Sequence, residues 1–356
     1  MRPARRKEVR EMSNKSWVAW RIVVLAWCAA AAWADACAEL SLWRDEAPAK
    51  KALLGYLESV TREGSADYVP PAGRIAVFDF DGTLFCETAP TYFDWLLFAK
   101  RALDDPTYRA TPEQRAMATE TRVSGKAPGL TLEREEMMAC AYRGMSLEWF
   151  DSFVRDFMEE PHIGFTNMKQ GDAFYRPMVE VVELLIAKGF SVYVCSGSDR
   201  QILRALVPRA IDLPPHRMIG SDSVIVAEAQ NGRDGLSFTY GADDRLVFSG
   251  KLQVKNLQMN KVTAIKREIG VQPILSFGNS FSDASMLNYV LSRNPRKAMA
   301  FMLLCDDTER EYGNLAKAEK MRMESVQNGW IPVSMRDDWK TIYGEGVEKL
   351  QQQTKK

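Results

Sequence analysis

The apolar positions of the chain follow two periods. Ile75, Ala76, Val77 and Phe78 form an unbroken apolar run, and SVYVC ending at Cys195, PILSFG ending at Gly278 and AMAFMLLC ending at Cys305 are short, mainly apolar runs. Short runs of this kind, rich in Val, Ile and Phe and closed by Gly, Ser or Asp, predict strands buried on both faces. Between them the apolar residues recur at helical spacing, in PMVEVVELLIAKGF closed by Lys188-Gly189, in RQILRALVP, in NKVTAIKREIG and in SDASMLNYVLS. Strand and helix therefore alternate, which predicts a parallel sheet covered on both faces. PAKKALLGYLESV, with Leu53, Leu54, Leu57 and Val60 on one helical face, predicts a leading helix.

One stretch breaks the alternation. From Ala89 to about Met168 the spacing is helical throughout, in TYFDWLLFAKRAL, LEREEMMACAYRGM and SLEWFDSFVRDFMEE. Thr111, Pro112 and Gln114 there supply an N-cap, an N1 proline and an N3 partner. This predicts an all-helical insert at 88–169 between two parts of an α/β core, 45–87 and 170–335, with a C-terminal tail at 336–356. A second interruption, SVIVAEAQNGRDGLSFTYGADDRLVFSG, turns around Asn231-Gly232 and Asp234-Gly235 and predicts a hairpin flap.

Composition narrows the class of partner. The 47 Lys and Arg residues balance the 47 Asp and Glu residues, so no global field recruits nucleic acid, and a small soluble ligand is the expected partner, with no stable protein partner inferred. The first residues depart from this balance, because basic MRPARRKEVR leads into apolar IVVLAWCAAAAWA and small residues up to Ala36. That order predicts an export signal over 1–36, cleaved or retained as an anchor, with Met12 as an alternative start and Cys37 as an alternative lipid acceptor; the expected location is the periplasm or a membrane surface. The six cysteines show no metal-type pair spacing and are expected to be isolated thiols.

Three predicted strands end in polar clusters: Asp79 to Thr83, Ser196 to Arg200 and Gly278 to Asp283. In an open parallel sheet the ligand lies beyond the carboxyl ends of the strands, so all three gather at one rim. Asp79 and Asp81 are two residues apart, and a structural strand gains nothing from two like charges at its end. A hard divalent cation with oxygen ligands resolves the repulsion, and the backbone at Gly82-Thr83 offers donors to phosphate oxygens. One aspartate can then attack phosphorus while the other protonates the leaving alcohol and later activates water.

Asp79-Phe80-Asp81-Gly82-Thr83 resembles the opening motif of the haloacid dehalogenase-like superfamily of phosphohydrolases. Val194-Cys195-Ser196-Gly197 is similar to its second motif, Lys261 to its lysine, and Gly278-Asn279-Ser280-Phe281-Ser282-Asp283 to its metal-binding fourth motif. The resemblance covers about 73–305, with the helical insert where the phosphoserine-phosphatase-like branch places its cap. It implies a Rossmann-like three-layer parallel sheet with an inserted helical cap. It also implies a Mg2+-dependent phosphatase acting on a small organic phosphomonoester through an aspartyl phosphate. Asp79 would be the nucleophile and Asp81 the acid and base. Gly82, Thr83, Ser196, Gly197 and Lys261 would bind phosphate. The metal set would be Asp79, the Phe80–Asp81 region with its backbone carbonyl, and Asp283, with Asn279 contributing an uncharged amide oxygen where the motif usually has an acid. Glu87 follows at nearly the spacing of the glutamate with which phosphoserine phosphatases grip a substrate ammonium, one residue closer.

Two other functions use the same fold. A dehalogenase needs no acid for an alcohol leaving group and lacks the second aspartate, so Asp81 argues against it. An exported binding protein that has lost turnover is the alternative from another class, with Asn279 as its sign. The insert is rich in aromatic residues (Tyr92, Phe93, Trp95, Phe98, Trp149, Phe150, Phe153 and Phe157), which at helical spacing predict core, with a cation-binding cage as the other use.

Overall fold

The computed structural model describes residues 40–87, 91–126 and 128–350, and the unit considered below begins at Leu42. The export signal at 1–36, Cys37 and the terminal QQQTKK lie outside the described residues.

Seven strands form one sheet in the order β4-β3-β2-β1-β5-β6-β7. They are β1 (Ile75–Phe78), β2 (Ser191–Asp199), β3 (Met218–Ala227), β4 (Leu246–Val254), β5 (Leu275–Gly278), β6 (Met299–Leu304) and β7 (Ile331–Ser334). Every neighbouring pair is parallel except β3 and β4, which are antiparallel and form the predicted flap at one edge. Asn231 and Gly232, both at positive φ, lie in the connection between them.

The chain leaves β1 toward β2 on one side and later returns to β5 on the other. That reversal opens a crevice at the carboxyl end of β1, where an open α/β sheet binds its ligand. Helices α1 (Pro48–Thr61), α6 (Arg176–Ala187), α7 (Arg200–Leu206), α8 (Met259–Glu268), α9 (Ala284–Leu291), α10 (Leu315–Asn328) and α11 (Met335–Asp338) accompany the sheet. The insert supplies α2 (Phe93–Leu103), α3 (Pro112–Ser124), α4 (Leu132–Cys140) and α5 (Leu147–Met158). Thr111 and Gln114 form the predicted capping box at the start of α3. No helix among the described residues is long and apolar enough to cross a membrane.

The sheet core is built on a ladder of rings. Register places Phe78 beside Phe277 and Phe277 beside Phe301 on three adjacent parallel strands. Their rings stack with centroids 4.4 and 4.8 Å apart and planes within 10°. Because the three strands share one pleat, the rings stand on one face, and the polar cluster that follows each run is carried to the same rim.

Inside the insert, Trp95, Phe98, Ala99, Ala102, Met117, Ala118 and Ala141 close a small core of their own. The flap touches this insert through Phe150 and Phe248, whose rings meet edge to face 4.9 Å apart. The stretch 336–350, expected as a tail, is instead partly packed into the body. Trp339 is fully buried against Trp43 and Tyr175, and Tyr343 against Phe165. Its few apolar residues lack periodicity because they fill gaps between elements, so no pattern marks them.

Phe277 is the middle rung of the ladder and has no exposed surface. Phe277→Ala is expected to cost about 3–5 kcal/mol of unfolding free energy in a denaturant titration, with little change in slope. A loss below about 1 kcal/mol would show that the rings do not organise the sheet.

Candidate active site

The opening strand ends where its last ladder bond, from the Asp79 N–H to the Phe277 carbonyl at 2.9 Å, gives way to a tight turn. The Phe80 carbonyl accepts from the N–H groups of Thr83, Leu84 and Phe85 at 2.8 to 3.1 Å. Phe80 itself is buried against Phe85 and Phe174. The turn therefore points Asp79 and Asp81 outward and consumes the Phe80 carbonyl, which is thereby removed from the expected metal set; of the Phe80–Asp81 region, the Asp81 carbonyl remains. Gly82 has φ +77°, and a Cβ placed there would lie 1.9 Å from Asn279 Nδ2 and 2.7 Å from Glu87 Cδ. Only glycine lets the first and fourth motifs approach this closely.

Lys261 carries the electrostatics. It is fully buried near the start of α8, and its Nζ donates to Asp79 Oδ1 at 2.6 Å and to Asp283 Oδ1 at 2.5 Å. Burial opposes its charge, but Asp283 and Asp79 outweigh that and hold the ammonium above the ordinary lysine value. Lys251, Lys255 and Lys266 are the neighbours a sequence cannot separate from it. Lys255 pairs instead with Glu135, Lys266 reaches the Gly270 carbonyl, and Lys251 is exposed.

Asp283 is engaged on both oxygens. Besides Lys261, its Oδ2 accepts from the N–H groups of Asn279 and Ser280 at 3.1 Å and from Ser280 Oγ at 3.2 Å. It is wholly buried and does not line the cavity, whereas Asn279 does, with its Oδ1 buried and unpartnered. Asn279 therefore lies on the cavity lining, while Asp283 holds Lys261 and the Asn279 loop behind it.

Asp81 faces the second cluster. Its Oδ2 accepts from Ser198 Oγ at 2.6 Å and from Ser196 Oγ at 3.4 Å, while its Oδ1 is buried without a partner. Ser196 Oγ also accepts from the Ser198 N–H at 3.1 Å, and Asn256 Nδ2 donates to the Ser196 carbonyl at 3.0 Å. A Cβ on Gly197 would meet Leu257 Cδ2 at 2.5 Å. Thr83 is fully buried with its hydroxyl unpartnered.

Asp79, Asp81, Ser196, Gly197, Ser198 and Asn279 line one cavity of about 510 Å3 under the helical insert. Burial, followed by the charge of Asp283, pushes the Asp79 carboxyl up to about 7 against the pull of Lys261. Burial and then Asp94 push Asp81 well above the usual carboxylate range.

Glu87 lines the same cavity. It is buried and paired with Lys317 of α10, so its charge is already answered. Of the eight aromatics of the insert, Tyr92 and Trp95 line the cavity. Trp149 lies under the Arg101 guanidinium, and Phe93, Phe98, Phe150 and Phe157 are core. Arg200 forks between Asp222 and Glu268 and holds the flap strand to α8. Burial lowers the His162 imidazole to about 4, so it is neutral at physiological pH.

Sequence reasoning missed Ser198, Asn256, Asp94, Glu135 and Lys317. Ser198 had a signal, since two residues beyond Ser196 on an extended strand end is the same face. Asp94 and Glu135 are single acids in amphipathic helices, which carry no such mark.

The residues fit a hard divalent cation modestly. No group of three or more His, Cys, Asp or Glu side chains among the described residues forms a metal cluster. Yet two buried oxygens without partners, Asn279 Oδ1 and Asp81 Oδ1, belong to residues that line the same cavity as Asp79. Oxygen donors of this kind suit Mg2+, which keeps several waters of its own.

A carboxyl raised on folding contributes stability fully below its unfolded value, 3.8, and loses it as pH rises through about 7. Asp79→Asn, in chelator, is therefore expected to unfold later than the wild type near pH 8, by on the order of 3 kcal/mol or less, with the gap closing toward pH 4. Lys261 keeps Asp283 as counter-charge in that variant. Equal stability at pH 8 would remove the burial penalty assigned to Asp79.

A family model described as haloacid dehalogenase-like hydrolase matches residues 76–288. No curated protein matches the sequence. Among solved structures, a functionally unknown protein from Anaerococcus prevotii is similar at 13% identity and a TM-score of 0.48, over 80% of this chain and 92% of that one. A phosphoserine phosphohydrolase-like protein from Francisella tularensis is similar at 12% identity and a TM-score of 0.38, over 71% and 99%. A cytosolic 5'-nucleotidase IIIB bound to cytidine is similar at 12% identity and a TM-score of 0.48, over 83% and 88%. With that family match spanning the first strand, the insert, Lys261 and the Asn279–Asp283 loop, the chain belongs to the haloacid dehalogenase-like hydrolases and is a hydrolase.

Proposed function

We propose that the protein is a Mg2+-dependent phosphatase of small organic phosphomonoesters, acting through an aspartyl phosphate at Asp79. The observation that carries this is the pairing of two differently held aspartates at one strand end. Asp79 is anchored to Lys261 through Oδ1, which leaves Oδ2 to attack. Asp81 is held by Ser198 through Oδ2 and keeps Oδ1 without a partner in the same cavity.

The roles follow from these environments. Asp79 forms a bond to phosphorus as the bond from phosphorus to the ester oxygen breaks. Asp81, raised by burial and by Asp94, starts protonated and gives its proton to the departing oxygen, so the product is a neutral alcohol. In the second half Asp81 accepts a proton from the water that attacks the phosphoryl group, inorganic phosphate leaves and the Asp79 carboxylate is restored. The Ser196 hydroxyl, on the cavity lining, donates to a phosphoryl oxygen in this reading and Lys261 balances the charge behind Asp79, whereas the N–H groups of Gly82 and Thr83, expected as donors, are engaged by the Phe85 and Phe80 carbonyls. Bound at Asp79, Asn279 and the Asp81 carbonyl, Mg2+ would neutralise phosphoryl charge that the acids would otherwise repel. The helical insert roofs the cavity and keeps bulk water from the intermediate.

Asp81 also weighs against dehalogenation, in which a halide departs without a proton. Asn279 in place of an acid supports weaker metal binding rather than loss of turnover. The proposed location, outside the cytoplasm or at a membrane surface, rests on the basic and apolar residues of 1–36.

The wild type is expected to release phosphate from an aryl phosphate with Mg2+ and to stop in chelator, and Asp79→Asn to lose about 10³-fold or more while remaining folded by circular dichroism. Undiminished release by Asp79→Asn would overturn the proposal. Binding of a fluoride complex that mimics phosphate, with no turnover of any ester, would favour the binding-protein alternative.

A further inference from the structure

Away from Asp79, Asp81, Ser196 and Asn279, the cavity wall carries charges that answer one another. Lys317 pairs with Glu87, and Lys255 pairs with Glu135 at 2.7 Å while also lying in the field of Asp94. An anionic leaving alcohol would meet three acids there, and a cationic one would have to displace a lysine from its partner. Nor does this wall hold a buried polar atom in need of a partner. Among the described residues, the buried side-chain oxygens without one on the cavity lining are Asp81 Oδ1 and Asn279 Oδ1, both at the phosphoryl end. A polyol would find no buried group waiting for its hydroxyls.

What the wall does offer is apolar surface. Tyr92, Trp95, Pro128 and Leu257 line it, and so do Leu130 and Phe281, which remain 61% and 50% exposed and so stand at its mouth. Leu130 comes from the loop between α3 and α4 and Phe281 from the loop after β5, so the insert and the core each bring one apolar side chain to the opening. Met259 and Leu315, both more than half exposed, continue this surface along the rim. They open the first turns of α8 and α10, two residues before the lysines that those turns carry into the site, Lys261 and Lys317. One exposed apolar side chain is ordinary, but two facing one cavity with two more beside it form a patch suited to an apolar partner.

Resting on the phosphatase reading above, we infer that the substrate is the phosphomonoester of an uncharged alcohol with an extended apolar body, which lies along Trp95 and Leu257 and reaches Leu130 and Phe281 at the mouth. Seating that body takes the exposed faces of Leu130 and Phe281 out of water and leaves the ion pairs of the wall intact. The cavity, about 510 Å3, has room for a phosphoryl group and such a body together.

The test compares n-hexyl phosphate with ethyl phosphate and with two esters of its own length that end in a charge, 6-aminohexyl and 5-carboxypentyl phosphate. The wild type is expected to show at least about tenfold higher kcat/KM for the hexyl ester than for each of the other three, since every buried methylene favours it by up to about fourfold. Leu130→Ser and Phe281→Ser, at exposed positions, are each expected to lower the hexyl-to-ethyl ratio by about threefold or more. A ratio near one in the wild type, faster hydrolysis of either charged ester, or a ratio unchanged in both variants overturns the inference while leaving the phosphatase standing. Calorimetry on Asp79→Asn with Mg2+ reads the same preference without turnover, with at least about tenfold tighter binding of the hexyl than the ethyl ester expected; equal binding overturns the inference. Tighter binding of the hexyl ester with no phosphate release from any ester in the wild type would instead sink the phosphatase reading and keep the apolar site.

Discussion

The buried ammonium of Lys261 is the interaction on which the rest of the site depends. It lies between Asp79 and Asp283, two buried acids that would otherwise repel each other. Through Asp79 it fixes the end of the first strand. Through Asp283 it fixes the loop after β5, because the other oxygen of that carboxylate gathers the N–H groups of Asn279 and Ser280. One side chain thus ties together three segments far apart in sequence. Neither half of this arrangement is stable alone: a lone lysine there would be an uncompensated buried charge, and the acids without it would carry the full cost of burial.

The second aspartate is organised differently, and the difference divides the chemistry. Asp81 meets hydroxyls and no cation, so burial and the nearby Asp94 raise it well above the usual carboxylate range, whereas Lys261 pulls against the rise at Asp79. Two identical side chains two residues apart therefore sit in unlike electrostatic surroundings. The cause is which neighbouring strand each faces: Asp79 faces the β5 and α8 side, Asp81 the end of β2 with Ser196 and Ser198.

The helical insert and helix α10 contribute to the same cavity by compensation. Glu135 of the insert is matched by Lys255 from the core, and Glu87 from the first loop by Lys317. Both pairs bridge elements that meet only in the folded protein. The first joins the insert to the core, and Lys255 also lies in the field of Asp94, so that one lysine serves two buried acids of the insert.

Much of this was legible in the amino-acid sequence because it is written in local spacing. The apolar runs, the helical repeats between them and the N-cap at Thr111 specify backbone conformation within a few residues, and Asp79-Phe80-Asp81-Gly82-Thr83 announces its chemistry because paired acids at a strand end have no structural use. Gly82 is local too, at positive φ, yet its reason, the approach of Asn279, is not. The sequence by itself determined the strands, the insert and the acids, since these depend on neighbours one to four residues away. Only the tertiary structure decided that Asn279 rather than Asp283 faces the cavity, that Lys317 claims Glu87, that Trp339 belongs to the core and that Lys255 serves both Glu135 and Asp94. Those outcomes are set by which charges and surfaces meet across more than a hundred residues of chain, where electrostatic pairing and burial leave no periodic trace.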